Sequence, residues 1–145
     1  MPFHFKMQKV LDYREQLEEE AKVDLALKQR LLEDSRALFE RLKTELRQCE
    51  DRLFQSALAP QGERWLMEQY LKGLKGDVAN AAMQTRMHEQ LVDEARKMLA
   101  ARAIERKLLE KLKERQNLQY LREEQLKEQR VNDETATLRY KAPTL

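Results

Sequence analysis

An all-α fold, two long helices folded back on each other as an antiparallel coiled-coil hairpin, is predicted by three observations. The only proline between Phe3 and Ala142 is Pro60, within Ala59-Pro60-Gln61-Gly62. Charged residues make up 37% of the 145-residue chain and aromatics 6%, with only 3 glycines and 3 prolines, a composition typical of long helices. Apolar residues recur in alternating steps of three and four, the period of a left-handed coiled coil.

Pro60 lacks a backbone N–H and drives Ala59 out of the α region, so a helix rising from the N-terminus stops before it. The first helix is expected over about 6–58, the break over 59–62, and the second helix over about 62–138, since proline is tolerated where a helix begins. At 1.5 Å per residue these are roughly 80 Å and roughly 115 Å long, so the expected molecule is a single rod-like hairpin. Its apolar residues are spread too thinly for a compact core and suit a seam.

The strongest stripe in the first helix is Leu32, Ser35, Phe39, Leu42, Leu46, Cys49 and Leu53. Cys49 therefore reads as a small seam residue, and as a lone cysteine it has no partner for an internal disulfide. Upstream the stripe reads Val10, Arg14, Leu17, Ala21, Leu25 and Lys28, where two consecutive steps of four predict a stutter and looser packing than over Phe39–Leu53. The second helix carries apolar clusters, among them Leu71, Leu74 and Val78, but no one heptad reads through it. Gly73 and Gly76 each cost about 1 kcal/mol relative to alanine, which close helix–helix approach near the hairpin would explain, the alternative being a bend or a partner's footprint.

Antiparallel pairing about Pro60 sets residue i near residue 120 − i, which places Lys6 and Met7 by Lys113 and Glu114. Everything beyond about 118 then overhangs, leaving Tyr120, Leu121, Leu126 and Val131 without a partner on the first helix. An isolated helix of that kind is marginal in water.

Lys and Arg (28) nearly balance Asp and Glu (26), and the signs alternate finely, so no basic stripe for nucleic acid forms. No apolar run approaches the ~20 residues of a membrane span, and the N-terminus carries no secretory signal, which points to the cytoplasm. A two-helix seam offers no water-excluding cleft for catalysis. His4 is expected near residue 116, far from His88, so the two do not share a metal. No phosphate loop, nucleophile elbow or HExxH occurs, and neither a catalytic site nor a cofactor is expected.

Three stretches together resemble a known family. Phe3-His4-Phe5-Lys6-Met7-Gln8-Lys9-Val10-Leu11 with Arg14 opens the chain; Glu63-Arg64-Trp65 with Tyr70 follows the break; Leu108-Leu109-Glu110-Lys111-Leu112 precedes Tyr120-Leu121-Arg122-Glu123-Glu124 and Glu128-Gln129-Arg130-Val131. In this order they are similar to the FliJ family of flagellar export proteins over nearly the whole chain.

The resemblance implies a non-catalytic stalk of the flagellar type III export apparatus, a monomeric hairpin like the central stalk of rotary ATP synthases. It would be cytoplasmic and peripheral to the inner-membrane export machinery. It would promote assembly of the export ATPase ring, FliI, couple that ring to the cytoplasmic domain of the export gate protein, FlhA, and, as in some members, bind export chaperones. On this reading Trp65, Tyr70, Leu71, Leu74 and Val78 are candidates for the gate contact. Phe3, Phe5, Tyr120, Leu121, Arg122, Leu126, Lys127 and Arg130, at the end where both termini converge, are candidates for the ring contact. Two other readings are a stalk of a virulence-type secretion system and a generic structural coiled coil that dimerises through its seam.

Overall fold

A computed structural model describes residues 2–141, the side chain of Lys141 excepted; residues 142–145, the end of the expected overhang, lie outside the described residues. Two helices, α1 (Gln8–Gln55) and α2 (Gln61–Lys141), pack against each other as an all-α hairpin, with no strand among the described residues.

The turn between them follows from local chemistry. At the end of α1 the Ser56 amide donates to the Arg52 carbonyl at 3.0 Å and the Ser56 hydroxyl to the Leu53 carbonyl at 3.0 Å, while Ala59 N–H bonds back to Ser56 O at 3.0 Å. A serine that binds its own preceding turn favours a helix end, and the chain leaves the helix at Gln55, slightly ahead of the expected 58. Pro60 then begins the next helix by accepting the Arg64 N–H at 3.1 Å, a role that needs no amide of its own. Arg52 in the last turn of α1 and Glu63 in the first turn of α2 each have the sign that the local helix dipole favours.

The chain divides into two compact units, one of Met1–Glu18 with Arg102–Leu145, the other of Glu19–Ala101. In the second unit Ala21, Leu32, Cys49, Leu74, Ala81, Val92 and Ala95 are the buried apolar side chains, and none of the described residues is fully enclosed. Cys49 is thus a buried free thiol in the seam. Phe39, Leu42, Leu46 and Leu53 are only half-buried, so this stretch is not the more tightly packed section that its spacing suggested. A seam between only two helices leaves one side of each side chain open, whatever the regularity of its heptads.

The expected stutter in α1 is absent. The buried positions are Leu11 and Glu18, at 2% and 6% exposure, whereas Val10 is exposed and Leu17 half-buried. Taking Leu11, Arg14, Glu18, Ala21 and Leu25 in order restores strict alternation of three and four. Sequence reasoning passed over Glu18 because a carboxylate does not advertise itself as a seam residue. The same disguise hid the heptad of α2, where Arg64, Thr85, His88, Arg102 and Arg106 occupy half-buried or buried positions at seam spacing.

Arg106 and Thr85 are matched across the interface, whereas Arg64 Nε is buried without a hydrogen-bond partner. In the first unit the Arg106 Nε donates to Glu18 Oε2 and its Nη1 to Glu110 Oε2 at 2.8 Å, while Arg14 Nη1 donates to Glu105 Oε2 at 2.7 Å. The bond to Glu18, and then that to Glu110, hold the Arg106 guanidinium above its ordinary pKa, so it is charged at every accessible pH. In the second unit the Thr85 hydroxyl donates to the Ala81 carbonyl at 2.8 Å, which leaves Ser35 to donate to Thr85 across the seam at 2.9 Å.

Ser35 meets Thr85 where the 120 − i rule sets it, but at the N-terminus the pairing runs further along α2. Phe3 packs on Tyr120 with ring centroids 5.7 Å apart. His4 and Lys6 share a shallow groove with Gln116, Gln119, Tyr120 and Glu123, so Lys6 lies beyond the expected Lys113 and Glu114. Tyr120 therefore has a partner, and the unpartnered stretch starts later: every side chain from 125 to 140 is exposed.

Gly73 and Gly76 do not mark close helix–helix approach. A Cβ on either, or on Gly62, would meet nothing within 4 Å.

Breaking the Glu18–Arg106 pair strips a half-buried or buried charge of its cross-helix partner, whereas removing both charges does not. Arg106→Leu alone should lower the melting temperature, and Glu18→Leu with Arg106→Leu should recover most of the loss. Thermal unfolding followed by circular dichroism of the two variants checks this; equal losses would show that the pair is not coupled.

Candidate functional site

The described residues hold no group of three or more His, Cys, Asp or Glu placed to bind a metal ion, and the hollows between helices are open grooves lined by mixed charges. His4 falls in one unit and His88 in the other. The surfaces that remain are exposed apolar and charged side chains on helix faces, whose chemistry is that of protein–protein contact.

The early part of α2 sorts its five candidate residues by heptad position. Leu74, at 4% exposure, is a seam residue, and Leu71 and Val78 are half-buried on the same stripe. Trp65 and Tyr70 point outward, at 58% and 61% exposure. The five therefore do not form one surface: three hold the hairpin together and two are available. Leu66, missed in the sequence, joins the available pair, as do Phe54 and Leu58 on the other side of the turn, where Leu58 is fully exposed. Their signal was their place off the seam stripe, which becomes readable only once that stripe is assigned.

The eight candidates at the terminal end divide in the same way. Phe5, at 4% exposure, is buried and supports the N-terminal approach to α2; Phe3 and Tyr120 are half-buried against each other. Leu121, Arg122, Leu126, Lys127 and Arg130 are exposed. Lys127 reaches Glu124 only at 4.0 Å, an exposed pair on one helix that holds neither side chain firmly. From Leu121 to Tyr140, α2 thus presents a helix whose leucines and cations all face solvent. No helix among the described residues is long and apolar enough to cross a membrane.

The division between seam and surface has a direct check in stability. Leu74→Ala should cost about 2–4 kcal/mol, the range for a buried leucine. Tyr70→Ala should cost within about 0.5 kcal/mol, as exposed substitutions do. Urea unfolding of the two variants measures both, and a large loss for Tyr70→Ala would place that ring in the seam.

Comparison with known proteins bears on the two exposed surfaces together. No curated protein and no solved structure matches the chain. A family model described as flagellar FliJ protein matches residues 3–144, which takes in both the Trp65 region and the exposed end of α2. The chain belongs to the FliJ family and has the flagellar export-related role that this family carries.

Proposed function

We propose that this protein is the stalk-like component that promotes assembly of the export ATPase ring, FliI, and couples it to the export gate protein, FlhA. The observation that carries the reading is the stretch from 125 to 140, a continuous helix whose every side chain is exposed. Such a helix gains nothing from tertiary packing, and a receptor that takes it in supplies the missing contacts. The ring contact accordingly falls on Leu121, Arg122, Leu126, Lys127 and Arg130, with Phe3, Phe5 and Tyr120 supporting the base from which the helix projects. Export chaperones are a further class of partner that the family reading brings.

The gate contact falls on Trp65 and Tyr70, with Leu66 beside them. Large exposed aromatics supply much binding area for few rotatable bonds, and they are common anchors at interfaces. Leu71, Leu74 and Val78 enter this contact only by holding α2 in place.

Two measurements test the reading. Removing residues 125–145 leaves the Phe3–Tyr120 pair intact and should abolish stimulation of ATP hydrolysis by purified FliI, while the full chain stimulates it. Because the projecting end carries mixed charges, that stimulation should weaken as salt shortens the Debye length to about 10 Å at 0.1 M and below. Equal stimulation by both lengths of chain would move the ring contact to the Pro60 end. Separately, Trp65→Ala with Tyr70→Ala should weaken binding to the FlhA cytoplasmic domain by about tenfold or more, with unchanged helicity. Undiminished binding would take the gate contact off this face.

A further inference from the structure

In the unit Glu19–Ala101 the two flanks of the seam differ in chemistry. On one flank, polar residues follow the central seam positions: Arg36 Nη2 donates to Glu89 Oε1 at 3.4 Å, with Lys43 and Arg96 along the same side. That cross-helix bond fixes which edges of α1 and α2 share a side. The residues that precede seam positions therefore share the other side, where Leu31, Leu38, Leu91 and Met98 form an apolar patch bounded by Asp24 and Glu45 on α1 and Gln84 on α2. Leu31 and Leu38 precede Leu32 and Phe39 on α1; Leu91 and Met98 precede Val92 and Leu99 on α2. Leu27 and Met87 widen the strip outward. Leu27, Leu31, Met87 and Met98 are 57%, 44%, 60% and 50% exposed.

We propose that this strip is a docking site for one amphipathic α-helix of a partner protein, which would complete a three-helix bundle. From Leu27 to Leu38 the strip runs roughly 17 Å, about three turns, at 1.5 Å per residue. Its width is set by the 8–10 Å that typically separates packed helices. A strip of that size falls well short of the ~800 Å² per partner that a stable complex buries, so it suits transient docking of one short helix and not a stable dimer of this chain. Around it, Asp24, Asp34 and Glu94 balance Arg30, Arg41 and Lys97. A neutral rim suits a helix with mixed charges on its own flanks and does not attract an anionic membrane or a nucleic acid. The strip also extends the packing of the existing seam, so a third helix meets the same ridges and grooves that α1 and α2 offer each other. Its two methionines adapt to partners of different shape, which predicts tolerance of sequence in the docked helix. The site is separate from the ring and gate contacts, and its test is independent of them.

The probe is a synthetic helix about four turns long, with leucines on one face and balanced Lys and Glu on the other, beside a scrambled isomer. Added to the full chain with isotope-labelled methionine methyl groups, it should shift the Met87 and Met98 signals and leave Met67 unmoved, while the scrambled peptide shifts none. Leu27→Glu with Met98→Glu should weaken binding by about tenfold or more at unchanged helicity; Leu27→Gln with Met87→Gln serves as the milder second variant. Affinity should change little with salt. Shifts confined to other methionines, equal affinity for the variants, or no binding would each overturn the proposal. So would a doubled mass in sedimentation that Leu27→Glu with Met98→Glu abolishes, or co-sedimentation with anionic phosphatidylglycerol vesicles that this variant loses.

Discussion

The pairing of Glu18 with Arg106 is the constraint on which the register at the terminal end depends. A carboxylate at 6% exposure is costly unless its charge is met, and Arg106 meets it while also binding Glu110. Sliding α2 by a heptad in one direction would bring Leu99 opposite Glu18 and cost the carboxylate its bond to Arg106. Arg14 with Glu105 adds a second cross-helix ion pair in the same unit. Such pairs add little net stability over well-packed apolar residues, but they penalise wrong registers, the use of polar seam residues best attested in coiled coils. Ser35 and Thr85 do the same in the other unit with hydroxyls in place of charges.

A seam made by only two helices has a consequence for function. With no third element to cover it, none of the described side chains is fully enclosed, and large apolar residues remain in view from Val23 to Tyr140. Burial thus divides the molecule into residues that hold the hairpin and residues free to meet other proteins. The division is sharp along α2: Leu74 faces inward, while Trp65, Leu66 and Tyr70 face out. Farther on, Tyr120 is engaged by Phe3, and from 125 to 140 the helix has no inward side. A protein organised in this way works by presenting surfaces, in keeping with its place in a family of flagellar export proteins.

The sequence by itself determined the two helices, because backbone chemistry is local. Pro60 and Ser56 act on the turns that contain them, and the want of other interior prolines lets each helix run on. It also determined the antiparallel pairing, since a break that short folds the second helix back along the first, and it carried the motifs of the family. What only the tertiary structure decided was which face of each helix is the seam and where pairing ends. Arg14, Glu18 and Arg106 sit at seam positions because a partner on the other helix satisfies them, and that partner is about 90 residues away in the chain. Tyr120 gained a partner and Phe5 became buried because residues ahead of α1 reach past the register that the turn predicts. A hydrophobic pattern reports which residues avoid water, but only a folded neighbour shows which charges have been relieved of it.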